Sequence, residues 1–191
     1  MNKLIFGFLF ISLTSCGWRS IPTAKNEVEA QFAEIQNQYK RRADLIPNLV
    51  KVVKGYAEHE QETLTSVVEA RAKATSVNID PKKLDAAAMK KFQEAQGALS
   101  SALSRLMVVV EKYPNLKASQ NFRDLQIQLE GTENRITVAR NRYIQAIKSF
   151  NNLVTVPPTS WTNSIMYHYD KMPQFQVENL NQLEKAPEVN L

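Results

Sequence analysis

Residues 122–153 read FRDLQIQLEGTENRITVARNRYIQAIKSFNNL, and the apolar spacing of this stretch decides the fold class. Phe122, Leu125, Leu129, Thr132, Ile136, Ala139, Tyr143, Ala146, Phe150 and Leu153 alternate by three and four. That is a seven-residue repeat, which lays one seam along a helix and suits bundle or coiled-coil packing. The preceding segment carries Phe92, Ala95, Leu99, Ala102, Leu106, Val109 and Tyr113 in the same rhythm. Upstream, Val28, Phe32, Ile35 and Tyr39, then Ile46, Leu49, Val53 and Tyr56, do likewise. No segment alternates with the period of two that a half-buried strand needs. Five glycines in 191 residues are too few for a loop-rich or all-β chain, and one cysteine excludes a disulfide framework or a Cys-cluster metal site. The expected fold is all-α: an antiparallel up-and-down four-helix bundle with long helices and an irregular C-terminal tail.

Prolines punctuate this pattern. Asp80-Pro81 reads as a helix start, with Asp80 capping free N–H groups and proline in the first turn. Tyr113-Pro114-Asn115 ends the following helix, and Ser119 or Asn121 caps the next. Pro47 has two readings, a kink in one long helix or the opening of a second helix after a turn at Asp44-Leu45-Ile46. An unbroken helix over 24–77 would run about 80 Å and outreach its neighbours, so the turn is preferred. The proline spacing of 34 and 33 residues is not a tetratricopeptide array, because each segment reads as one long helix rather than two short ones. After Val154 the period lapses. Thr159 or Ser160 caps a short helix through Ile165, and Phe175 and Val177 pack the tail back onto the bundle.

The first residues have their own logic. Lys3 precedes an apolar run from Leu4 to Leu13, too short to span a bilayer but fitted to a signal-peptide core. The run ends in Leu13-Thr14-Ser15-Cys16, which resembles a bacterial lipobox with cleavage before Cys16 and a lipid on its thiol. Residues 1–15 are then a lipoprotein signal peptide and 16–23 a lipidated N-terminus and short linker. The body occupies 24–158, and 159–191 is an irregular extension packing on it.

No catalytic constellation follows. His59-Glu60-Gln61-Glu62-Thr63 begins like a zinc-protease helix, but the second histidine that must lie four residues on is Thr63. No glycine-rich phosphate cradle and no nucleophile motif occur, so no metal and no cofactor is expected. Net charge is +5, with bases interleaved among acids, which argues against nucleic acid. Lys40, Arg41 and Arg42 form the one basic run, a candidate surface for anionic lipid or an acidic partner, or else the C-terminal end of a helix. Arg42 and Thr132 fall on the seam. Buried charge must be paired, so Glu60, Arg71, Glu111, Glu130 and Arg140 are candidates for an internal network that orders the helices, or some of them for the lining of a ligand groove.

Several blocks carry a resemblance. Arg41 through Val50, Lys54 through Glu60, Val68 through Ala72, Glu111 through Ala118 and Leu129 through Ile136 are similar, in order, to the hallmarks of the LemA family. The resemblance implies a bacterial membrane-anchored protein with an outward-facing helical bundle and no established enzymatic activity. Typical members begin with a spanning helix, and this chain departs from them in its lipobox-like leader. The expectation is a non-enzymatic lipoprotein scaffold or interaction module of the cell envelope. It would be exported and held on the outer side of the cytoplasmic membrane or at the outer membrane. Its partners would be the membrane and other envelope proteins. The alternative is a bundle that binds a small ligand or peptide as a sensor.

Overall fold

The computed structural model describes residues 18–82 and 84–173, and these residues form helices and short connections. Helix α1 (Ser20–Lys54) buries Ile21, Val28, Phe32, Ile35, Tyr39, Arg42, Ile46, Leu49 and Val53, the heptad seam read from the sequence with Arg42 set into it. It begins within the stretch read as a linker, because Ile21 is already core and Pro22 costs nothing in a first turn. Lys51 and Lys54 stand in its last turn, where positive charge complements the helix dipole.

The chain reverses over residues 55–60, and α2 (Gln61–Ser76) descends with Leu64, Val67, Ala70 and Ala74 inward. The expected turn at Asp44–Ile46 is absent. The 24–77 segment does break, but at Gly55. Residues 77–82 and 84–85 then follow α2 without regular structure, and buried Ile79 continues its wall. Gln36 Nε2 donates to the Ile79 carbonyl at 2.8 Å and fastens this connection to α1.

Helix α3 (Ala86–Val110) starts at Asp85, whose carboxylate accepts from the Ala88 N–H at 2.6 Å. Asp80 is therefore not the cap; its carboxylate accepts from the Lys82 N–H in an exposed turn. Pro114 opens a one-turn helix, α4 (Pro114–Lys117), which buries Leu116. Helix α5 (Gln120–Thr155) follows Ser119, whose side chain makes no capping bond. At 35 and 36 residues, α1 and α5 each extend about 53 Å and pair antiparallel along their length. The two shorter helices pair with each other across them, so the four principal helices alternate in direction.

Two apolar clusters fill the interior. In the lower one, Phe32 meets Phe92 and Tyr143 at ring separations of 5.9 and 5.5 Å, joining α1, α3 and α5. The upper one gathers Ile46, Leu49, Val67, Leu99, Leu106 and Phe122. Each such side chain, once buried, contributes about 1.5–3 kcal/mol, so these clusters dominate stability.

The C-terminal segment returns to the lower end. Helix α6 (Thr159–Thr162) is uncapped by side chains, and the Thr159 hydroxyl donates to the Val156 carbonyl instead. A single π turn (Asn163–Tyr167) follows and ends at His168 in left-handed conformation. Asn163 Nδ2 donates to the Tyr169 carbonyl at 2.9 Å, and its Oδ1 accepts the Tyr169 N–H at 3.1 Å. Asn151 grips Met172 in the same two-way manner. Asparagine amides present one donor and one acceptor side by side, so they pair with backbone as a strand would. Phe175 and Val177, expected to pack the tail, lie outside the described residues.

Candidate functional site

The two apolar clusters are separated by a polar layer centred on Arg42. Its heptad position turns it inward, and it is 1% exposed. One terminal nitrogen, Nη1, donates to Ser100 Oγ at 2.9 Å and to both Glu133 oxygens at 3.1 Å. The other, Nη2, donates to Gln96 Oε1 at 2.8 Å and its carbonyl at 3.3 Å. Gln96 passes the chain on, its Nε2 donating to the Ala74 carbonyl at 3.2 Å. The guanidinium also lies 4.9 Å from the Tyr39 ring centre, a cation–π contact. Arg42 thus joins α1 to α3 and α5 directly, and Gln96 extends the link to α2. Burial raises the Tyr39 pKa, with the positive charges of Arg140 and Arg42 lowering it in part.

A second polar contact explains why Pro47 does not break α1. Proline has no N–H, so the carbonyl four residues earlier loses its helical partner. That carbonyl belongs to Ala43, which is buried, and Arg71 Nε on α2 donates to it at 2.7 Å. The Arg71 side chain replaces the missing hydrogen bond.

Beside these contacts a cleft of about 560 Å³ opens between α1, α2 and α3. Lys40, Asp44, Arg71, Asn78, Phe92 and Gln96 contribute to its walls. Its volume is within the range of small-molecule pockets. The cleft supplies charge and hydrogen-bonding groups without a nucleophile set against a base.

The residues singled out from the sequence are distributed differently from expectation. Lys40 and Arg41 are exposed, but Arg42 leaves the basic run for the interior, so the three do not form one surface. Nor do they end a helix; they lie mid-α1, beyond reach of its terminal dipole. The five network candidates are not brought together. Glu60 accepts from the Tyr113 hydroxyl at 3.1 Å, whereas Arg71 serves the Ala43 carbonyl. Glu111 pairs with Lys117 at 2.6 Å on the surface, and exposed Glu130 accepts from Gln126. Arg140 stands close enough to Tyr39 to influence its ionisation. Sequence reasoning missed Gln96, Ser100 and Glu133. For Gln96 a signal existed: the α3 seam runs Phe92, Gln96, Leu99, and the apolar series through Ala95 stepped over the buried polar residue. Cys16 lies outside the described residues. No group of three or more metal-ligating side chains occurs among the described residues, and none of their helices is long and apolar enough to cross a membrane.

Comparison with known proteins places this architecture. The family model described as the LemA family matches residues 31–191. Protein LemA of Metamycoplasma hominis is 25% identical over 146 residues, covering 76% of this chain and 62% of the relative. Magnetosome protein MamQ 2 of Paramagnetospirillum magneticum is 25% identical over 170 residues, covering 80% and 62%. Magnetosome protein MamQ of Magnetospirillum gryphiswaldense is 22% identical over 166 residues, covering 78% and 61%. The chain therefore spans about three fifths of the length of the relatives it matches. With the matched model covering most of its residues, the chain belongs to the LemA family.

Proposed function

We propose that the protein is a non-enzymatic interaction module of the bacterial cell envelope, held at the membrane by a lipid on Cys16. The observation that carries this reading is how its buried polar groups are used. Buried Arg42 and Gln96 and half-buried Arg71 are engaged in bonds between helices, which order the bundle as a rigid body. The anchor follows from Leu13-Thr14-Ser15-Cys16, and α1 opens only four residues later, at Ser20. Four extended residues reach at most about 14 Å, so the lower end of the molecule would stand against the bilayer. Partners would be other envelope proteins, met on the flanks of the bundle. Exposed Lys40 and Arg41 are the charges available there to an acidic partner.

Two measurements test the proposal. Intact mass of the membrane fraction should show a diacylglycerol adduct that Cys16→Ser abolishes, with release of the protein from membranes. An unlipidated chain in that fraction would refute the anchor. Lys40→Glu with Arg41→Glu should reduce partner crosslinking in cells while leaving helical circular dichroism unchanged. Undiminished crosslinking would exclude this face.

The cleft favours a second reading, a sensor for a small ligand or peptide. Exposed Thr75 lines it, and Thr75→Trp would fill it. A ligand that raises the Tm of the wild type but not of this variant would support the sensor.

A further inference from the structure

The chain has two tryptophans, Trp18 and Trp161, and both stand exposed at the end where α1 begins and α5 finishes. Ile165, at 76%, is the most exposed large apolar side chain among the described residues; Met166 next to it and Val156, just past α5, are exposed too. Five of the ten exposed large apolar residues thus belong to one end, while the others are Tyr56 in the 55–60 turn and Val68, Val108, Ile127 and Val138 along α2, α3 and α5. Apolar exposure concentrated at one end in this way suits a binding surface. The Tyr167 hydroxyl donates to the Trp18 carbonyl at 2.7 Å, which ties the two segments together.

The orientation is held by structure. Thr159 and Asn163 form the buried side of the segment, Asn163 bonding the Val154 and Tyr169 backbone. One helical turn separates Trp161 from Ile165, and the wider π turn brings Met166 into line with them. With the polar underside fastened, these apolar side chains face away from the core.

Their occupant follows from position. The apolar run Leu4–Leu13 and Cys16 precede the fold and join it at Trp18. Tryptophan favours the membrane–water interface, where its ring meets acyl chains and its N–H meets water. Arg19 and Lys171, both exposed, adjoin the patch in sequence and suit anionic headgroups, with Asp170 the one neighbouring acid. We propose that this end is a membrane seat: Trp161, Ile165 and Met166 enter the headgroup layer beside the N-terminal anchor and set the bundle upright on the bilayer. The proposal rests on the anchored reading above.

The test uses the full chain carrying Trp18→Phe, so that Trp161 alone reports. The protein is extracted from bacterial membranes and reconstituted into phosphatidylcholine–phosphatidylglycerol vesicles, with or without bromine on the acyl chains. Flotation should recover it with the vesicles, with Trp161 emission shifted to shorter wavelength, quenched by bromolipid and shielded from acrylamide. Adding Ile165→Ser and Met166→Ser should abolish the quenching without changing the circular dichroism. A protein that floats while Trp161 stays open to acrylamide and unquenched by bromolipid overturns the seat and spares the anchor. A protein that does not float overturns both. Shielding of Trp161 without lipid, accompanied by a doubled mass, assigns the face to a second copy and also overturns the seat.

Discussion

The Arg42 side chain is 2% exposed, while the carboxylate it meets on Glu133 is 53% exposed. The two partners of this ion pair therefore have unequal claims on it. Removing Glu133 leaves a cation in the interior with only neutral partners, and an uncompensated buried charge costs about 3 kcal/mol or more. Replacing Arg42 by methionine fills much of its volume and lets Glu133 turn to water. The loss is then the partner of Gln96 and Ser100, about 1–2 kcal/mol. Glu133→Ala is accordingly expected to lower the urea midpoint more than Arg42→Met. The opposite order would mean that the carboxylate contributes nothing to holding the guanidinium. Summed over the two clusters, apolar packing far exceeds what either change removes, so the layer sets how the helices align rather than whether they fold.

At the level of elements, α1 and α2 are coupled through an unusual contact. Proline in a helix interior costs about 3 kcal/mol, part of it the orphaned carbonyl. Arg71 offsets that part, because its Nε reaches the Ala43 carbonyl. Two expectations follow for urea unfolding. Arg71→Met should destabilise the wild type by about 1–3 kcal/mol, the penalty of a buried unsatisfied acceptor. In a Pro47→Ala background the restored N–H satisfies Ala43, and the same Arg71 change should cost little. Pro47→Ala alone should stabilise. A double-mutant cycle with no coupling would show that Arg71 does not compensate the proline.

Across the whole molecule, two phenols make the fold sensitive to base. Burial raises the pKa of Tyr39 and of Tyr143 above the ordinary value of 10.0, and for Tyr39 nearby arginines oppose the rise. The folded state prefers the neutral phenol, so the unfolded chain gives up its protons first as pH rises. Stability contributed by this preference is complete below the unfolded pKa and is lost as pH rises above it towards the folded values. The unfolding free energy is therefore expected to fall as pH rises above about 10, by up to about 1.4 kcal/mol per pH unit for each phenol. Tyr143→Phe should flatten this decline more than Tyr39→Phe. Equal slopes in wild type and Tyr143→Phe would remove Tyr143 as the cause.

Much of this architecture was legible along the chain. The seven-residue repeat determined the helices, the seam of α5 and the inward face of α1, because side-chain direction in a helix follows spacing alone. It also placed Arg42 and Thr132 on the seam, and it required a reversal before residue 77. Tertiary structure decided the rest. Pro47 looked like a boundary because a proline is judged by the hydrogen bond it removes locally, whereas the replacement comes from Arg71 on the next helix. Asp80 and Asp85 are equal candidates by composition. Ile79 is buried and tethered to Gln36, Asp80 closes a turn onto Lys82, and the cap is left to Asp85. Arg42 belonged to a basic run in sequence and to the core in space, since Glu133, Ser100 and Gln96 lie 54 to 91 residues away. Spacing determines which face a residue occupies; only packing decides which distant groups satisfy it there.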